Sequence, residues 1–141
     1  MSWQLIAKIA RCVAVNADHV NGLVELAPKE AVDLVVVGPE ISLVKGLADR
    51  LREAGINVFG PGAAAARLEG SKVFAKEFMA RHGIPTANFR VHDTVESAHD
   101  DVDFRGGPCV VKADGLAAGK GVILCRSAFE ARDAIREIMG E

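Results

Sequence analysis

Residues 108–125 read PCVVKADGLAAGKGVILC, two apolar runs of strand composition on either side of a loop with three glycines and two lysines. Short runs of this kind, bounded by glycine, read as the two arms of a hairpin. The loop is not a P-loop, because that motif needs four residues between its first glycine and its Gly-Lys, then a Ser or Thr for magnesium. Here three residues separate Gly115 from Gly119, and Gly121 stands where the hydroxyl would be. Nor is it GxGxxG, and VILC is a strand rather than a helix whose N-terminus could hold phosphate. The physical content is nonetheless that of an anion clamp: Gly115, Gly119 and Gly121 let backbone N–H groups point inward, and Lys120 adds a mobile charge. A plain hairpin with small residues at its bend accounts for the same composition. Lys112 shifts the balance, since it ends an apolar strand where a buried ammonium needs an anionic partner.

Outward from this hairpin, strands and helices alternate, the pattern of a parallel sheet with crossover helices. CVAV (12–15) reads as a strand. Val20, Leu23, Val24 and Ala27 fall at helical spacing. DLVVVG (33–38) reads as a continuous apolar strand covered on both faces. ISLVKGLADRLREAG reads as one helix with Val44, Leu47, Ala48 and Leu51 on one face, capped by Gly55 in the left-handed conformation. INVFG then runs into the turn Gly60-Pro61-Gly62. The next stretch, AAAARLEGSKVFAKEFMARHG, is helical but broken at Gly70-Ser71, where Ser71 can cap a second helix with Phe74 and Phe78 on one face. TVESAHDDV reads as a helix with Val95, Ala98 and Val102 inward. Ser127 and Glu130 form a capping box at the start of the last helix. The opening MSWQLIAKIAR reads as a short amphipathic helix with Leu5, Ile6 and Ile9 inward. Lys8 and Arg11, with no acid before Asp18, give this end a faint transit-peptide character.

Two more places draw attention. Lys72 opens a helix, where the macrodipole disfavours a cation, which hints at a ligand charge, although a solvated surface lysine is the commoner outcome at such a place. Gly38-Pro39-Glu40 follows the DLVVV strand at the edge where open α/β sheets take ligands, although Glu40 also complements a helix dipole.

GPE at 38–40, FGPGAAAARLEGSKVFAKEFMARHGIPTA at 59–87 and VVKADGLAAGKGVIL at 110–124 resemble the glycinamide ribonucleotide synthetase (phosphoribosylamine-glycine ligase) family of the ATP-grasp superfamily. The resemblance implies an α/β fold: a partial Rossmann-like unit that precedes the ATP-grasp domain (1–61), connector helices (62–106) and the first part of the ATP-grasp flap subdomain (107–141). It implies that ATP phosphorylates glycine and that the amine of 5-phosphoribosylamine attacks the glycyl phosphate. By the same resemblance Lys72 and Lys112 contact ATP phosphates. Asp114, Gly115, Leu116, Ala117, Gly119, Lys120 and Gly121 form the flap, and Gly38, Pro39 and Glu40 lie beside phosphoribosylamine. Mg2+ or Mn2+ is implied for the complete enzyme. The family's opening GNGGREHA-type loop and its metal-binding Glu/Asn pair have no counterpart here, so the chain reads as truncated at both ends and inactive by itself. Ile41-Ser42 stand where the family usually has Ala-Pro, and Gly62 stands where it has Thr or Ser. A non-catalytic module derived from the ligase, binding polyphosphate or self-associating through exposed sheet edges, is the competing reading; a sister ATP-grasp ligase or carboxylase is a third.

Composition limits the remaining classes. Half of the 141 residues are hydrophobic, 26% are charged and the formal net charge is −2, so no basic field collects nucleic acid. Three cysteines without a CxxC pair or a histidine cluster argue against a disulfide scaffold or a zinc site. Cys109 and Cys125 are expected to be buried, reduced and inert, facing inward from neighbouring strands of the hairpin. No apolar run approaches the roughly 20 residues that span a bilayer. The expected setting is the cytoplasm, or an organelle if the N-terminus is a transit peptide.

Overall fold

The computed structural model describes residues 6–117 and 121–140, and the chain divides into two compact units, Met1–Ala66 and Arg67–Glu141.

In the first unit, helix α1 (Val20–Lys29) buries Ala27 and packs Val20, Leu23 and Val24 against one core with Val37, Leu47 and Leu51. Strand β1 (Val35–Val36) pairs in parallel with β2 (Val58–Phe59), with Val35 opposite Val58 and Val36 opposite Phe59. The expected double cover of 33–38 is corrected here. Val37 is buried, while Leu34 and Val36 are 55% and 65% exposed, because the packed residues all lie on one side of the pair. The single helix expected over 41–55 is two: α2 (Glu40–Val44) and α3 (Leu47–Glu53), broken at Gly46, whose φ is +81°. Leu47, Ala48 and Leu51 are buried as expected. Gly55 has φ +75°, and its N–H and that of Ile56 donate to Arg52 O and Leu51 O, both at 2.9 Å. These are the two bonds of a Schellman cap.

The strand expected over 12–15 does not form. Cys12 and Val13 are exposed, and no ladder partner among the described residues satisfies their backbone. The chain just after it, at Ala17 and Asp18, is held by side chains: Ser42 Oγ donates to Ala17 O at 2.5 Å, and Lys45 pairs with Asp18 at 3.0 Å. Ser42 is 1% exposed, and a proline in its place could not make that bond. The N-terminal turn lacks the inward face expected of it, since Ile9 is 88% exposed; Leu5 lies outside the described residues. At the turn before helix α4 (Ala63–Gly70), the Asp49 carboxylate accepts the Ala63 N–H at 2.7 Å. A Cβ on Gly62 would collide with that carboxylate. Asp49 thus satisfies one of the orphan N–H groups at a helix start where residue 62 has no hydroxyl to offer.

In the second unit, Ser71, Thr94 and Ser127 cap helices α5 (Lys72–Arg81), α6 (Val95–Arg105) and α7 (Ala128–Met139) by accepting the N–H groups of Phe74, Ser97 and Glu130. The return bond of the Ser127/Glu130 box goes to the Arg126 N–H at 2.8 Å, one residue earlier than the standard box. Strands β3 (Cys109–Lys112) and β4 (Val122–Cys125) pair antiparallel, with Cys109 opposite Cys125 and Lys112 opposite Val122. One face of this hairpin packs with α6 and α7 around Ala98, Val102, Cys125, Ala131, Ala134 and Ile135. Cys125 is buried and burial raises its thiol pKa, but Cys109 is only half-buried, short of the full burial expected. Phe74 and Phe78 share a face of α5, with centroids 6.2 Å apart. Arg90, His92 and Arg105 surround Asp101 at 3.3, 3.4 and 2.9 Å, tying the extended stretch before α6 to that helix.

Candidate functional site

Pairing of the hairpin continues one step past β3, where the Ala113 N–H donates to Gly121 O at 2.9 Å. Gly121 is buried, and a Cβ on it would lie 2.5 Å from Ala117 Cβ and 3.3 Å from Ala113 Cβ. Its glycine is therefore demanded by close packing of the loop's own base. Gly115 needs glycine for another reason: its φ is +84°. Leu116 is 43% exposed and Ala117 half-buried. Gly119 and Lys120 lie outside the described residues.

The loop base is joined to the start of α5. Asp114 Oδ1 accepts the Val73 N–H at 3.1 Å, and Ser71 Oγ donates to the two carboxylate oxygens at 3.1 and 3.0 Å. Lys72 Nζ donates to Gly115 O at 2.8 Å. Burial works against ionisation of Asp114, but N–H donors from Val73, Gly115 and Lys72 and the Ser71 hydroxyl outweigh it and hold the carboxyl below its usual range. Lys72 is half-buried and bonded to the loop, so the reading of it as a solvated surface lysine is corrected. Asp114 supplies the negative charge the helix end favours, and Lys72 spends one of its three donors on the loop.

Lys112 is exposed, not buried as the sequence implied, so the anion-demanding argument from burial does not apply to it. What the structure offers instead is a face. Alternation along β3 and β4 puts Lys112 on the outer side with Val110, Val122 and Leu124, which are 46%, 49% and 77% exposed. A cation at the end of a bare aliphatic platform suits a flat apolar ring that carries an anionic tail. Sequence reasoning passed over Val110, Val122 and Leu124, although the period-two pattern of PCVVK and GVILC contains them.

Gly38, Pro39 and Glu40 belong to the first unit, where Pro39 is the N-cap of α2 and Glu40 sits exposed in its first turn. For a metal, no three Asp, Glu, His or Cys side chains converge among the described residues.

Two family models cover residues 4–141 between them: the phosphoribosylglycinamide synthetase N domain over 4–69 and the ATP-grasp (A) domain of the same synthetase over 70–141. The phosphoribosylamine–glycine ligase of Xanthomonas campestris pv. campestris is 56% identical over 132 residues, which are 92% of this chain and 31% of that protein. The ligase of Escherichia coli O6:H1 is 50% identical over 127 residues, 90% of this chain and 30% of its own length. The chain thus spans about a third of the length of these relatives. The crystal structure of the Thermotoga maritima phosphoribosylamine–glycine ligase superposes with a TM-score of 0.66 at 39% identity, covering 83% of this chain and 28% of that one. A biotin carboxylase domain from Hydrogenobacter thermophilus, solved with MgADP, superposes at 0.68 with 24% identity over 92% of this chain and 32% of its own, a likeness of fold.

Proposed function

This chain belongs to the phosphoribosylglycinamide synthetase family, an ATP-grasp ligase family, and from that premise we propose that it carries the phosphate-gripping part of glycinamide ribonucleotide synthesis. In that reaction ATP phosphorylates the glycine carboxylate and the amine of 5-phosphoribosylamine displaces phosphate to form the amide. The fold is α/β, an N domain followed by the start of an ATP-grasp domain. Residues 1–61 are assigned to the Rossmann-like part, 62–106 to the connector and 107–141 to the flap subdomain.

The observation that carries the reading is the outer face of the hairpin, where Lys112 stands beside Val110, Val122 and Leu124, with the adjoining loop tied to Lys72. In this reading the aliphatic platform takes the adenine, and Lys112 and the two remaining N–H donors of Lys72 meet the phosphates. Cations aimed at a transferring phosphoryl group stabilise charge where it develops. Gly38, Pro39 and Glu40 are assigned to phosphoribosylamine. Divalent metal is implied by the family, but the described residues do not fit it, and no step is assigned to the ion. No helix among the described residues is long and apolar enough to cross a membrane, and the reaction is assigned to the cytoplasm.

A chimera tests this function. The matching 127 residues of the Escherichia coli ligase are replaced by those of this chain, and ATP cleavage dependent on both glycine and phosphoribosylamine is measured. Turnover is the expected result, with Lys112→Met lowering kcat/KM by about 10²-fold, the scale of one preorganised charge contact. An inactive but folded chimera, or an unaffected Lys112→Met variant, would overturn the assignment. The second reading, a self-associating binding module, draws on the exposed apolar pair Val36 and Phe59, 65% and 71% exposed. Sedimentation of the 141-residue chain checks it, a dimer being the result that favours it.

A further inference from the structure

Asp114 is an acid embedded in a loop read as an anion clamp, two residues after Lys112. A carboxylate beside a polyphosphate repels it, and Coulomb energies at such separations are not negligible once water is partly excluded. The hydrogen bonds show what the carboxylate does instead. Asp114 and Gly115 grip three consecutive residues at the start of α5: Ser71 by its hydroxyl, Lys72 by its ammonium and Val73 by its N–H. Ser71 Oγ also accepts the Phe74 N–H at 3.1 Å, so a chain of polarising bonds runs from the helix backbone through the hydroxyl to the carboxylate. With the carboxylate anchored, the carbonyl of the next residue is fixed, and that carbonyl receives Lys72 Nζ at 2.8 Å. A lysine held by one donor keeps two for an anion and has less side-chain freedom to lose when the anion arrives.

We propose that Asp114 is a positioning residue for the polyphosphate site, acting through Gly115 O to hold the Lys72 ammonium where it meets the ligand. The inference rests on the phosphate-gripping role proposed above and adds to it a residue that touches no ligand. The depressed pKa of the carboxyl agrees with a charge already absorbed by its own donors. Because the interaction runs through Lys72, removing Asp114 must matter only while Lys72 is present.

A double-mutant cycle on the 141-residue chain reads this coupling, with sodium tripolyphosphate as the probe and binding followed by calorimetry. Asp114→Ala is expected to weaken binding about tenfold in the native background, corresponding to about 1.4 kcal/mol, and by less than about twofold in the Lys72→Met background. Asp114→Asn should recover most of the affinity, because its amide oxygen still accepts the Val73 N–H. If Asp114→Ala fails to fold, the cycle is run with Asp114→Ser, whose single short hydroxyl cannot serve Ser71 and Val73 together, and equal losses in both backgrounds overturn the proposal. Asp114→Ala that lowers Tm with affinity unchanged makes the residue a helix cap only, and the proposal falls while the phosphate reading stands. The same loss in both backgrounds also overturns it. No saturable binding by the native chain removes the phosphate reading and this inference together.

Discussion

At the scale of single residues, caps and turn glycines do most of the local specification. Ser71 and Ser127 were legible as caps because a hydroxyl ahead of a helical run serves the orphan N–H groups two or three residues on, and Thr94 does the same without having been read so. Replacing Ser127 by Ala should cost about 1 kcal/mol in urea unfolding. Gly62 gives a sharper test, because Asp49 supplies the cap from another helix. Gly62→Ala pushes the carboxylate away and supplies nothing, so a loss of about 1–2 kcal/mol is expected. Gly62→Ser pushes it away but brings its own hydroxyl, and should lose measurably less; equal losses would show that crowding alone decides. The Asp49 cap was not legible, since it bridges 14 positions of sequence. Lys112 was misread for a different reason: its strand composition predicts burial, but burial in a two-stranded hairpin alternates, and the lysine falls on the outer beat.

At the scale of elements, periodicity predicted α1, α5, α6 and the hairpin because each signal is local. The strand at 12–15 failed because a strand exists only with a neighbour, and a run of apolar residues says nothing about whether one is there. The break at Gly46 was hidden inside a helical pattern that continues on both sides of it. Helix α7 packs on the hairpin in the second unit's core, and Ile135 is 3% exposed within it. Ile135→Ala should therefore destabilise by about 2–5 kcal/mol, read from denaturant midpoints at unchanged slope. The Asp101 cluster predicts a pH effect. Burial opposes ionisation of Asp101, but Arg105, His92 and Arg90 outweigh it and lower its pKa. The stabilisation is complete above the unfolded-state pKa of about 3.9 and is lost as pH falls through the lower folded-state value. Stability measured from pH 5 to pH 2 should fall over that window, and Asp101→Asn should flatten the slope; an unchanged slope would contradict the assignment.

At the scale of the whole molecule, the family was legible in three quoted stretches, and the models of its N domain and ATP-grasp domain divide the chain at 69/70, close to the division into compact units at 66/67. The site was legible only in part. Lys72 and Lys112 stood out as residue types in odd places and Asp114 entered only through the family resemblance, but the bonds joining Asp114 and its loop to the start of α5 were not legible, because they cross more than 40 positions of sequence. The central claim is that the hairpin face and the start of α5 together take ATP. Its most direct measurement is a titration of the 15N-labelled chain with ATP, followed at each backbone amide. Saturable shifts are expected at Lys72, Val73, Val110 to Gly115 and Val122 to Leu124, with residues 20–29 unmoved. Shifts that do not saturate, or that saturate only at residues outside the hairpin and the start of α5, would contradict the account.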